Sequence, residues 1–179
     1  MEIIQVLDKK FRPFITAAEI DVRIREMAAQ ITKDYEGRNP IFIAILNGSF
    51  MFASDLFKYI KGPAEIVFIK LASYKGTKST GNVITSIGLD EPLEGRHVVI
   101  IEDIVDTGNT LTKFLPQLHN QQPASLSIAA LLQKPEALEH PLDVHYVGFS
   151  VPNKFLLGFG LDYDGQGRNL AEIYQLVED

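Results

Sequence analysis

The chain has 179 residues, 46% of them apolar, and a formal net charge of −6. A chain of this length buries about two thirds of its unfolded surface as one domain, so one domain over residues 1–179 is expected. Zero cysteines exclude disulfides and thiolate metal sites, no apolar run nears the roughly 20 residues that span a bilayer, and the N-terminus lacks a basic, apolar, cleavable leader. The chain therefore reads as cytoplasmic, without a membrane partner. Its acidic balance argues against a surface that tracks nucleic-acid phosphates. Small anionic ligands stay possible, held by oriented N–H groups and a metal rather than by global charge.

The first predicted element is a helix. Thr16 and Glu19 form a capping box, Ile15 and Ile20 stand as a hydrophobic staple, and Ile20, Ile24, Met27, Ile31 and Tyr35 keep helical spacing up to Gly37. Residues 41–46 are continuously apolar, as a strand covered on both faces would be. Asn47-Gly48-Ser49 then turns the chain into a helix whose Phe52, Leu56 and Ile60 share one face before Gly62-Pro63. Strands are expected over 65–72, 83–88 and 97–102. A helix starting at Thr110 follows, with Leu111, Phe114, Leu115 and Leu118 on its inner face and Pro116 expected to kink or shorten it. Strands over 126–132 and 143–149 complete the alternation. Strands alternating with helices imply an α/β fold with a mostly parallel, twisted sheet and a ligand crevice at the carboxyl ends of its strands.

One segment carries most of the chemistry. Val98-Val99-Ile100-Ile101 runs as a buried strand into Glu102-Asp103, then through Ile104-Val105 into Asp106-Thr107-Gly108-Asn109-Thr110. Free N–H groups at a helix start attract phosphate, and the hydroxyls of Thr107 and Thr110 add donors. Glu102 and Asp103 remain as acceptors for sugar hydroxyls or for a hydrated Mg²⁺ bound through one or two carboxylates. Taken alone, acids at the end of a buried strand can equally well cap and solubilise it. The polar stretch between residues 71 and 83, with two glycines and two lysines, can be a functional loop or an ordinary hairpin. The four histidines, His97, His119, His140 and His145, show no close pairing and receive no role.

The full string of two acids, a short apolar pair and Asp-Thr-Gly-x-Thr resembles the ribose-phosphate motif of the type I phosphoribosyltransferases. The likeness extends from Ile41 to Leu170 and comes nearest to the hypoxanthine(-guanine) enzymes. It implies that family's fold, a mostly parallel sheet flanked by helices with a small hood and a flexible lid loop. Leu46-Asn47-Gly48-Ser49 resembles the pyrophosphate loop, where a non-proline cis peptide aims backbone N–H groups at the leaving group; Asn47 stands where a lysine is usual. Ser73-Tyr74 matches the pair on the lid. Lys134 matches the lysine aimed at the 6-oxo group of the purine. Lys154-Phe155-Leu156-Leu157-Gly158-Phe159-Gly160-Leu161-Asp162-Tyr163 is similar to the base-binding segment: Phe155 would stack on the purine, the Leu156 backbone would meet its edge, and Asp162 would hold Mg²⁺ or its waters. Arg168 matches a pyrophosphate-contacting arginine, although Asp164-Gly165-Gln166-Gly167 departs from the usual bulkier, aromatic-containing sequence.

What the resemblance implies is transfer of the phosphoribosyl group of phosphoribosyl pyrophosphate (PRPP) to N9 of a 6-oxopurine, assisted by Mg²⁺, in purine salvage. Asp106 would exchange the purine N7 proton, and the working form would be a homodimer or homotetramer. A xanthine-guanine enzyme is the nearest alternative within the family. A nucleotide-sensing regulator that binds RNA is the alternative outside catalysis, disfavoured by the acidic charge and the complete set of motif residues. A phosphorylated receiver domain would need its acids near the first strand and would leave the Thr-Gly-Asn-Thr turn unexplained.

Overall fold

The computed structural model describes residues 2–73 and 83–178. In chain order the elements are β1 (Ile4–Val6), β2 (Lys9–Ile15), α1 (Ala17–Asp34), β3 (Ile41–Leu46), α2 (Phe50–Tyr59), β4 (Glu65–Ser73), β5 (Val83–Ile87), β6 (His97–Val105), α3 (Asn109–His119), β7 (Ser125–Gln133), β8 (Tyr146–Ser150), β9 (Leu156–Leu157) and β10 (Ile173–Leu176). They form a six-stranded sheet in the order β5-β4-β3-β6-β7-β8 and a four-stranded sheet in the order β1-β2-β10-β9. In the larger sheet β4, β3, β6, β7 and β8 run parallel, and only β5 is antiparallel to its neighbour.

Apolar alternation on two covered faces explains the larger sheet. Phe42, Ala44, Val99, Ile101, Ala129 and Leu131 face α1 and α2. Ile41, Ile43, Val98, Ile100, Ile128 and Ala130 face α3, whose Leu111, Phe114 and Leu118 complete that layer. Val98, Val99, Ile100 and Ile101 are all fully buried, and each such side chain is worth about 1.5–3 kcal/mol relative to exposure. These strands therefore hold the centre of the molecule together and can carry polar residues only at their ends.

The expected capping box forms: the Thr16 hydroxyl accepts from the Glu19 N–H at 3.3 Å, and the Glu19 carboxylate accepts from the Thr16 N–H at 2.9 Å. Ile15 and Ile20, the staple pair, are buried in one core. Several boundaries differ from expectation. α3 starts at Asn109 rather than Thr110, because Gly108 adopts φ +79°, turns the chain and offers its carbonyl to the Thr112 N–H and hydroxyl. Pro116 does not end that helix, which continues to His119; the proline loses one backbone donor while Leu118 beyond it remains anchored in the core. β6 extends to Val105, because β7 still pairs with it at Ile104 and Val105. β8 begins at Tyr146, not at residue 143, since its pairing with β7 starts at Ala129 opposite Tyr146.

The smaller sheet is the hood, and its strands at both chain ends escaped the chain-order reading. Their period-2 signal is short: in β2 only Phe11 and Ile15 are fully covered, with lysines, an arginine and a proline between and around them.

Candidate active site

The site lies where the sheet changes direction of winding. β3 and β6 pair from Ile41 opposite Val98 to Ala44 opposite Ile101 and then separate, while β6 stays with β7 as far as Val105 opposite Gln133. Strands that part at their carboxyl ends, at the point where the chain order reverses, leave a crevice for a ligand. Glu102 and Asp103 stand on the β6 side of it and Asn47-Gly48 on the β3 side.

The two sides touch. A Cβ on Gly48 would overlap the Asp103 carboxylate, so the Asp103 side chain is packed against the Gly48 backbone and no larger residue fits there. The Leu46–Asn47 peptide is cis. Directly after this turn, the fully buried Ser49 donates its hydroxyl to the Ile45 carbonyl at 2.6 Å and so ties the turn back to β3. Sequence reading did not single out Ser49; a small polar residue between a glycine and an apolar helix was its only signal. The Asn47 side chain is exposed.

Glu102 is 8% exposed. Its carboxyl is pushed well above the ordinary range, first by desolvation and then by the adjacent Asp103 charge. Asp103 is also raised by burial, against the opposing pull of the Ile104 N–H, the bond from Glu102 and the Arg168 guanidinium. The Ile104 N–H donates to Asp103 Oδ1 at 2.8 Å. Two neighbouring buried carboxylates cannot both ionise cheaply, which is the direction of both shifts. Among the described residues no three acidic or histidine side chains gather as a metal cluster. The Asp162 carboxylate is bound to Arg168 Nη2 at 2.9 Å and to the Gly165 N–H at 2.8 Å.

Downstream of the acids, Glu102, Asp106, Thr107, Gly108, Asn109 and Thr110 line a concavity of about 100 Å³ at the start of α3. The first N–H groups of a helix have no acceptor within it and point outward with the positive end of its dipole. The structure therefore brings the predicted phosphate residues together. It also shows a local bond within them, from the Asn109 N–H to Thr107 Oγ1 at 3.3 Å.

Asp106 faces Lys134. The Lys134 ammonium, 7% exposed as a residue, donates to Asp106 Oδ2 at 2.9 Å, and its backbone N–H donates to the Val105 carbonyl at 2.9 Å. A lysine this buried keeps its charge only with a partner, and Asp106 is that partner, its own side chain 47% open to solvent. The hood supplies the remaining wall. Phe155 is 43% exposed and is backed edge-on by Tyr163, ring centres 5.8 Å apart, and by Phe11 at 6.2 Å. Leu156 is buried and pairs with Gln175 of β10. Arg168 Nη1 donates to the Gly160 carbonyl at 2.8 Å, while a Cβ on Gly160 would overlap the Gly48 carbonyl. The hood turn thus rests directly on the Asn47-Gly48 loop. Phe11 was not anticipated, and Tyr163, read only as the end of the base-binding segment, was not expected to back Phe155, because both contacts depend on where the hood strands land. Ser73 ends β4, and Tyr74 with the rest of the anticipated lid lies outside the described residues.

Comparison with known proteins agrees with this architecture. The family described as "Phosphoribosyl transferase domain" matches residues 16–164. The chain is 40% identical to a hypoxanthine-guanine-xanthine phosphoribosyltransferase of Tritrichomonas foetus, over 97% of this chain and 95% of that protein. It is 43% identical to a hypoxanthine phosphoribosyltransferase of Buchnera aphidicola, over 91% and 94% respectively. Among solved structures, a hypoxanthine phosphoribosyltransferase of Staphylococcus aureus superposes with a TM-score of 0.88 at 40% identity, covering 93% of this chain and 91% of that one. Likeness of sequence and of backbone, sustained over nearly the whole length, has one explanation in common descent: the chain belongs to the phosphoribosyltransferase family.

Proposed function

We propose that this chain, working as a single domain, transfers the 5-phosphoribosyl group of PRPP to N9 of a 6-oxopurine, hypoxanthine or guanine, and releases pyrophosphate. The observation that carries the reading is the convergence of four features on one crevice: the Glu102-Asp103 pair, the Asn47-Gly48 loop packed on it, the open start of α3, and the Lys134–Asp106 ion pair. The names of the relatives supply the substrate class.

Each residue then has a chemical task. The N–H groups at the start of α3 and the hydroxyls of Thr107 and Thr110 hold the 5′-phosphate. Glu102 and Asp103 accept from the ribose hydroxyls. The backbone of Asn47 and Gly48, with Arg168, receives the pyrophosphate as negative charge builds on it, which is the side of the reaction where fixed donors lower the barrier. Phe155 stacks on the base and the Leu156 backbone meets its edge. Lys134 donates to the purine O6, and Asp106, next to it, takes or returns the N7 proton. Ser73 and Tyr74 belong to a closing loop that keeps water from the reacting carbon, a role resting on the family resemblance.

The acid pair also fits Mg²⁺. Two adjacent carboxylates whose burial disfavours their charge, with no third acid gathered beside them among the described residues, suit a hard cation that takes one or two carboxylates and completes its shell with water and substrate oxygens. Such an ion supplies charge neutralisation for the leaving pyrophosphate. Glu102 and Asp103 would hold it, and Asp162 its water shell. A cytoplasmic setting and assembly as a homodimer or homotetramer belong to the same reading. The direct test is PRPP consumption with hypoxanthine, guanine, xanthine and adenine in turn, with and without chelator. Turnover of hypoxanthine or guanine that chelator abolishes is expected. Failure with every oxopurine, or full activity in chelator, would refute the assignment. Xanthine is included because the Tritrichomonas foetus relative is named for it.

A further inference from the structure

The phosphate loop needs a fixed shape, because its donors act only if they converge on one point. Within the loop, Gly108 sits at φ +79°, its carbonyl accepts from Thr112, and the Asn109 N–H donates to Thr107 Oγ1 at 3.3 Å. Further support comes from outside. Residues 134–139 leave β7, form one 3-10 turn over Pro135–Ala137 and run beside residues 105–109. Four hydrogen bonds join the two segments. At one end, the Lys134 N–H donates to the Val105 carbonyl and its ammonium to Asp106. At the other, the Glu139 N–H donates to the Thr107 carbonyl at 3.0 Å, and Glu139 Oε2 accepts from Asn109 Nδ2 at 2.6 Å. Between these ends, Leu138 and Leu142 cover Gly108, so closely that a Cβ there would lie 3.3 Å from Leu138 Cδ2 and 3.5 Å from Leu142 Cδ2.

The Glu139 carboxylate stands beside the start of α3, where the helix dipole favours it and where it would compete with an incoming phosphate for the same end of the helix. Its short bond to Asn109 also commits that side-chain amide to Glu139. The Asn109 backbone N–H donates to Thr107 Oγ1 at 3.3 Å.

On the reading of residues 107–110 as a 5′-phosphate site, we propose that Glu139 is a positioning residue that clamps the Thr107 and Asn109 ends of that loop and so sets its affinity for PRPP. Glu139 touches neither base nor pyrophosphate groups in this scheme, and it shares its segment with Lys134. The brace therefore also links the base-recognition lysine to the phosphate loop.

Charge and clamp make opposite predictions. Glu139→Ala removes the charge and the Asn109 end of the clamp, while the backbone bond from the Glu139 N–H to the Thr107 carbonyl survives; Glu139→Gln removes the charge but keeps an oxygen that accepts from Asn109. If the clamp matters, Glu139→Ala weakens PRPP binding and raises its KM by roughly three- to tenfold, the range expected for loss of one hydrogen bond. The KM for the base should stay at the parent value, and Glu139→Gln should bind PRPP at least as well as the parent. The measurements are calorimetric titration of PRPP with Mg²⁺ and steady-state KM for both substrates, on proteins whose matching thermal unfolding shows them folded. Equal PRPP affinity in parent and both variants, or tighter binding in both, would overturn the clamp while leaving the phosphate site standing. A parent protein that binds no PRPP would overturn the phosphate site and the clamp with it.

Discussion

Replacing Glu102 with glutamine should make the ligand-free protein more stable and the enzyme worse. Glu102 is 8% exposed, lies against Asp103 and, among the described residues, has no basic side chain bonded to it. Its carboxyl is raised well above the usual range by desolvation first and by the Asp103 charge second. The native state therefore holds a proton that the unfolded chain releases above about pH 4.3. A group whose folded pKa is raised contributes stability below its unfolded pKa and loses it as pH rises through the folded value. At neutral pH the pair thus weakens the fold. Glutamine keeps the shape and still donates to Asp103, but it never has to lose a charge to stay buried. Relief of one such burdened carboxyl is worth about 1–2 kcal/mol, or about 2–8 °C in Tm for a chain of this size. Thermal unfolding at pH 4, 5.5 and 7 measures it: the variant's advantage should be small at pH 4 and widen toward pH 7. Adding PRPP with Mg²⁺ should narrow that advantage by about 1.4 kcal/mol for a tenfold loss of affinity. A variant no more stable than the parent at pH 7 without ligand would show that the acid pair is not strained and would refute the reasoning.

Two further substitutions test the base side of the site. Asp106→Asn should preserve PRPP binding while slowing the chemical step by roughly 10² to 10⁴, since asparagine cannot take the purine proton; single-turnover rates at saturating substrates decide this, and parent-like rates would reduce Asp106 to a partner for Lys134. Lys134→Gln should narrow the preference for hypoxanthine over adenine, chiefly by losing hypoxanthine activity, because an ammonium donates to O6 but cannot accept from a 6-amino group. The ratio of kcat/KM for the two bases measures it, and an unchanged ratio would move base selection to the backbone around Leu156.

By itself the sequence determined the central sheet, because Ile41–Leu46 and Val98–Ile101 are apolar at every position and burial on two faces is the only place water leaves for them. It also determined α1, whose capping box and staple are contacts within four or five residues, and the turn into α3, whose Thr107, Gly108 and Thr110 lie within four residues of one another. Tertiary structure decided what needs distant partners. The hood pairs β2 near the N-terminus with β10 near the C-terminus, and it brings Phe11 behind Phe155 although 144 residues separate them in the chain. β6 ends at Val105 because β7 is there to pair with it, not because of any signal at residue 102. Gly48 must be glycine because Asp103 arrives from another strand, and Glu139 reads as an ordinary surface acid until Asn109 and Thr107 stand beside it. Local motifs depend on neighbours in the chain and are written there. The shape of the crevice depends on which strands part and which segments close behind them, and that is set only when the sheet is assembled.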